Sequence, residues 1–81
     1  MVINASIAKV KLYPNPATNS IRFANIQESS IMITDITGKV VLQTEGVDEN
    51  SVINVSNLNS GIYLVNIKNE LMNETVKFVK K

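Results

Sequence analysis

The side chains best placed to do chemistry in this chain are seven carboxylates, Glu28, Asp35, Glu45, Asp48, Glu49, Glu70 and Glu74, because its 81 residues include no His and no Cys. Without imidazole or thiol there is no ready general base at neutral pH, no cysteine nucleophile, no disulfide and no imidazole or thiolate metal site. A carboxylate pair can still run acid and base catalysis, but only in a concave, partly dry site that pushes the two pKa values apart. All seven fall in predicted turns, loops or strand ends, and so short a domain has little interior to spare for such a site. No catalytic residue is assigned. Glu45, Asp48, Glu49 and Asn50 could start a calcium site, which takes about six to eight oxygen ligands. A solvated loop explains them better, so neither a metal nor a cofactor is expected.

Binding chemistry is equally sparse. Eleven Asn residues suggest a sugar-binding surface, but most sit where the chain turns, where Asn bonds nearby backbone and tolerates left-handed geometry. The four aromatic residues, Tyr13, Phe23, Tyr63 and Phe78, are too few to stack on a glycan while also filling a core. A net charge of +1 provides no overall field toward nucleic acid or an acidic lipid surface, so neither is expected as a partner. No apolar run approaches the roughly 18 residues of a membrane helix, and membrane insertion is not expected. Lys77, Lys80 and Lys81 remain. They read either as a docking handle or as the charges that keep an edge strand from aggregating.

The elements that must carry these residues are strands. Val and Ile number ten each, and apolar positions alternate with polar ones at the period of a half-buried strand. Ala8, Val10 and Leu12 alternate in a first strand that Tyr13-Pro14-Asn15-Pro16 stops, since neither proline can donate to a ladder. Ile21 and Phe23 flank Arg22 in a second, and Ile31 and Ile33 flank Met32 in a third, with residues 25–30 as a polar connection. Asp35-Ile36-Thr37-Gly38 predicts a type I turn with Gly38 left-handed, leading into Lys39-Val40-Val41-Leu42 as a bulged hairpin. Residues 44–51 read as a polar, acidic loop, and Val52-Ile53-Asn54-Val55 as a short strand. A tight connection ending at Gly61 follows, with Leu58 dipping inward. Residues 61–68 are apolar on both parities, as in a central strand covered on both sides or one whose outer face meets a partner. Thr75-Val76-Lys77-Phe78-Val79-Lys80 closes the chain with Val76 and Phe78 on one face. About seven strands at intervals of roughly ten residues predict an all-β fold, a small antiparallel β-sandwich of immunoglobulin-like type.

Four segments together resemble a known family. Leu12-Tyr13-Pro14-Asn15-Pro16-Ala17-Thr18-Asn19, the run from Ile33 through Asp35 and Gly38 to Val41, the run from Ile53 through Gly61 to Tyr63, and Lys77-Phe78-Val79-Lys80-Lys81 look like the type A C-terminal sorting domain of proteins exported by the type IX secretion system of Bacteroidetes. The resemblance runs from about Val10 to Lys81. It implies an address label, not an enzyme. The label rides behind a covalently fused N-terminal cargo, passes the periplasm, is read by the type IX translocon, and is usually removed by a sortase-like protease. The cargo then stays on the outer-membrane surface or is released outside the cell.

On this reading residues 1–9 are a residual linker or strand from the upstream cargo, and 10–81 are the sorting domain. A chain that starts at Met1 with neither cargo nor signal peptide is expected to be a piece of a longer protein. The expected recognition residues are Lys77, Phe78, Val79, Lys80 and Lys81, with the last strand as an edge open to strand addition, together with Pro14, Asn15 and Pro16 as either an extended lead-in or part of the docking face. Asp35, Gly38 and Gly61 are assigned to turn geometry. Family members often carry Asp where this chain has Asn19 and Asn54, changes that keep an acceptor and lose a charge. The alternative is an immunoglobulin-like accessory module that binds a glycan or peptide for an attached enzyme.

Overall fold

The alternation predicted along the chain becomes seven strands and, among the described residues, no helix in a computed structural model that describes residues 10–81. They are β1 (Lys11–Tyr13), β2 (Ser20–Ala24), β3 (Ser29–Asp35), β4 (Val40–Val47), β5 (Ile53–Asn54), β6 (Gly61–Lys68) and β7 (Asn73–Lys80). Two antiparallel sheets form, one in the order β1-β2-β5 and the other in the order β4-β3-β6-β7. In chain order these match strands A, B, C, C′, E, F and G of an immunoglobulin-like sandwich. The Ala8 end of the first predicted strand lies outside the described residues.

One face of each sheet is apolar, and burying the two faces against each other makes the core. Ile21 and Phe23 from β2 meet Ile31 and Ile33 from β3, Val65 and Ile67 from β6 and Phe78 from β7, all at 0% exposure. Leu58 packs part-buried on this core, as the sequence predicts. At the start of β6, Tyr63 is buried against Phe78, with ring centroids 5.9 Å apart. Its hydroxyl donates to the Asn59 carbonyl at 2.7 Å, four residues upstream. This is the tyrosine corner of immunoglobulin-like domains, which pins the crossing from β5 to β6. Tyr63→Phe keeps the ring and orphans that carbonyl, so it should cost about 1 kcal/mol. In a domain of this size that lowers Tm by about 4–8 °C, readable by thermal unfolding.

The sequence reading fails between the hairpin and β5. Residues 44–51 are not a loop from their start, because β4 continues to Val47, which is buried at 2% exposure. Pairing passes from Ile31–Thr44 to Ser29–Val47 with one extra residue on β4. Gly46, at φ 69°, takes the left-handed conformation of the bulge that lets the strand go on. A polar run thus hides the far half of a strand that Val41 and Leu42 anchor on the core near its start and Val47 at its end. The connection at 25–30 is also shorter than predicted, since β3 begins at Ser29, and Ile26 within it is buried.

Candidate functional site

β7 is an edge strand of the four-stranded sheet, but half of that edge is occupied. The Asn15 side-chain amide donates to the Lys77 carbonyl at 3.0 Å and accepts from the Val79 amide at 2.9 Å. A primary amide here stands in for a peptide group, one donor and one acceptor side by side. Ala17 continues the ladder: its N–H donates to the Val79 carbonyl at 3.0 Å, and its carbonyl accepts from Lys81 at 2.8 Å. Pro14 and Pro16, both after cis peptide bonds, flank Asn15 and turn the chain onto the edge. Residues about as far apart as the chain permits therefore form one surface. Strand alternation leaves the N–H and C=O of Thr75 pointing the same way with no such cover among the described residues.

The predicted recognition residues divide by exposure. Lys77, Lys81, Pro14, Asn15 and Pro16 are exposed, and Val79 is half-buried. Phe78 is in the core, and Lys80, two residues on and so on the same inward face, is 8% exposed, its Nζ 3.4 Å from the Lys81 carbonyl. A lysine there buries its stem and brings its head to the rim. Ala17, buried at 1% exposure, completes the clamp although nothing in its residue type announces it. Gly61 opens β6 opposite Lys80.

The turn residues behave as their chemistry requires. Gly38, at φ 93°, donates to the Asp35 carbonyl at 3.0 Å in the predicted bulged hairpin. The Asp35 carboxylate accepts from the Thr37 hydroxyl at 2.6 Å, the Thr37 amide at 2.9 Å and the Lys39 amide at 3.0 Å. The Thr37 hydroxyl first, then the Lys39 amide, hold its carboxyl below the usual value. A lowered folded-state pKa stabilises the fold above the unfolded pKa of about 3.9, and this is lost as pH falls through the folded value. Urea unfolding should therefore find the wild type favoured over Asp35→Asn at neutral pH and the gap closing below about pH 4; a pH-independent gap would remove this role.

Of the acidic run, Glu45 lies in β4 and the rest serves the turn that follows it. Asp48 accepts from the Asn50 amide at 2.9 Å and the Ser51 hydroxyl at 3.2 Å, and Glu49 reaches the Asn25 amide at 2.7 Å. Among the described residues no group of three Asp or Glu side chains is placed to hold a metal ion. Asn54 keeps the acceptor role expected of it, taking the Ser56 amide at 2.8 Å and hydroxyl at 2.7 Å.

Register also sorts the charges along a body 46 Å long and 25 by 21 Å across. Asp35, Gly61 and Lys80 share one end, while Ser29, Val47, Lys68 and Asn73 share the other. Lys39, Lys77, Lys80 and Lys81 gather at the first with Asp35 alone among the side-chain carboxylates. The other six carboxylates lie at the second, with Lys11 and Lys68. A net charge near zero removes a monopole and leaves this dipole intact. Val10, where the described chain begins, is at the acidic end, since Lys11 pairs with Ala24.

The clamp, the hairpin and the tyrosine corner together span all four segments that carry the family resemblance. A family model for the secretion system C-terminal sorting domain matches residues 11–81. The chain belongs to that family. No curated protein matches it. The sorting domain is the C-terminal signal for type IX secretion, and its family is one of secretion signals rather than enzymes. Type IX secretion exports its cargo across the outer membrane. The accessory-module alternative is not favoured.

Proposed function

We propose that this type A sorting domain is read by the type IX translocon at its basic end, on a surface made by Pro14, Asn15, Pro16, Lys77, Val79 and Lys81. Phe78 and Lys80 serve by holding the last strand in place, not by touching the receptor. The supporting observation is the Asn15 clamp, which joins the Pro-Asn-Pro segment to the C-terminal strand only in the folded domain. Recognition of that surface therefore requires prior folding, and a rigid label is what a receptor for many cargoes needs. The domain itself catalyses nothing. Its N-terminally fused cargo crosses the periplasm, and a sortase-like protease then cuts ahead of the fold, leaving the cargo on the outer-membrane surface or outside the cell. Residues 1–9, the proposed remnant of the linker, lie outside the described residues.

Deleting residues 77–81 is a poor test, because it removes Phe78 from the core and Lys77 and Val79 from the clamp. The better one fuses residues 1–81 behind a periplasmic reporter in a host with the type IX machinery and compares wild type with the Lys77→Glu, Lys81→Glu double variant. Both side chains are exposed, so the variant should fold and accumulate in the periplasm. Secretion equal to wild type would overturn reading at the basic end.

A further inference from the structure

The outer face of the four-stranded sheet is not uniform. In the half toward the basic end, register sets Val40, Thr34, Leu64 and Lys77 in one row across β4, β3, β6 and β7, with Ile62 beside Val79 next to it. Val40, Ile62 and Leu64 are 45%, 48% and 41% exposed. In the other half the same face carries Gln43, Met32, Asn66 and Thr75, then Ser30, Lys68 and Asn73. An antiparallel sheet facing water on one side ordinarily alternates inward apolar with outward polar residues. β6 breaks this at Ile62 and Leu64 only, then resumes it at Asn66 and Lys68.

We infer that this patch, Ile62, Leu64, Val79 and Val40 with Lys77 among them, docks a protein surface of aliphatic residues flanked by carboxylates. The inference rests on the basic end being the end the translocon reads, and it names the chemistry of the receptor there. Charge decides the occupant. Lys77 lies in the row and Lys39 and Lys81 are at the same end, while the one nearby side-chain carboxylate, Asp35, is engaged by its own turn. A second copy of the chain on this face would bring two sets of the same lysines into one two-fold contact with no side-chain carboxylate of the patch to offset them. A lipid surface fits less well, because the patch offers none of the aromatic side chains that anchor proteins at membrane interfaces. The patch is also continuous with the clamp, since Val79 gives its backbone to Asn15 and Ala17 and its side chain to this face.

The test uses the same reporter fusion. Ile62→Thr with Leu64→Thr puts β-branched Thr, a good strand former, at both positions, so unfolding midpoints should stay near wild type while secretion falls about tenfold or more, as for loss of a small apolar hot spot. Asn66→Ser in the polar half should secrete as wild type does. A single Leu64→Glu should secrete less than Leu64→Lys, because only the former meets receptor carboxylates with like charge; equal loss would overturn the acidic character of the receptor. Wild-type secretion by the Thr pair would overturn the docking surface while leaving the sorting role untouched. Retention of the wild-type fusion itself would overturn both. Cosedimentation with phosphatidylcholine–phosphatidylglycerol vesicles that the Thr pair abolishes would assign the patch to lipid and overturn a protein receptor.

Discussion

Phe78→Ala should leave the domain without a cooperative unfolding transition. The ring is fully buried between the sheets and packs on Tyr63. Removing it costs about 3–5 kcal/mol, most of the stability of a domain near the low end of about 5–15 kcal/mol. Phe78→Leu keeps most of the volume and should cost only about 1–2 kcal/mol. The pair separates two roles. If Phe78 acts through the core, the Ala variant loses fold and secretion together, and the Leu variant keeps both. A Leu variant that unfolds normally, measured by circular dichroism in urea, yet is not secreted would mean that the receptor reads the ring itself.

The second large effect is expected at Asn15, an exposed residue that simple burial would rank as harmless. Asn15→Asp exchanges the donor to the Lys77 carbonyl for a second acceptor, so one oxygen still takes the Val79 amide while the other faces a carbonyl. Loss of one bond with repulsion in its place should cost about 1–2 kcal/mol. Its effect on secretion should be larger, because the clamp orders the surface proposed for reading. The introduced carboxyl would regain a donor when protonated. Its folded-state pKa is then raised, so stability relative to wild type should recover as pH falls through that value. Thermal unfolding between neutral and acid pH measures this, and a deficit that does not shrink in acid would show that Asn15 does not clamp by donating.

With such a clamp in place, the C-terminal strand is not the open edge that its lysines suggest. Edge strands commonly avoid promiscuous pairing by charge or by cover, and this domain covers the half that carries Phe78 and Val79. The cover comes from residues 15–17, so edge protection and the recognition surface share the same hydrogen bonds. Among the described residues, the stretch of β7 around Thr75 is what stays open to strand addition on this edge.

What could be read along the chain was local. Period-two alternation specifies strands because successive side chains leave opposite faces of a pleat, and Ile21, Phe23, Ile31 and Ile33 are buried as that rule demands. The Asp35 to Gly38 turn was legible because its hydrogen bonds close within five residues. The absence of His and Cys limits the chemistry in any fold. What was not legible depends on which residues meet across space. The polar stretch of β4 is a strand only because β3 lies beside it and Gly46 absorbs an extra residue. Lys80 follows Phe78 inward because the register with β6 sets the face of the whole strand at once. Asn15 looks like any turn asparagine until the sandwich brings β7 within reach, and charges that nearly cancel in sum are driven to opposite ends by antiparallel pairing. Sidedness and long-range pairing belong to the packed sheets, since only burial of one face against another selects among the registers that a short strand could adopt.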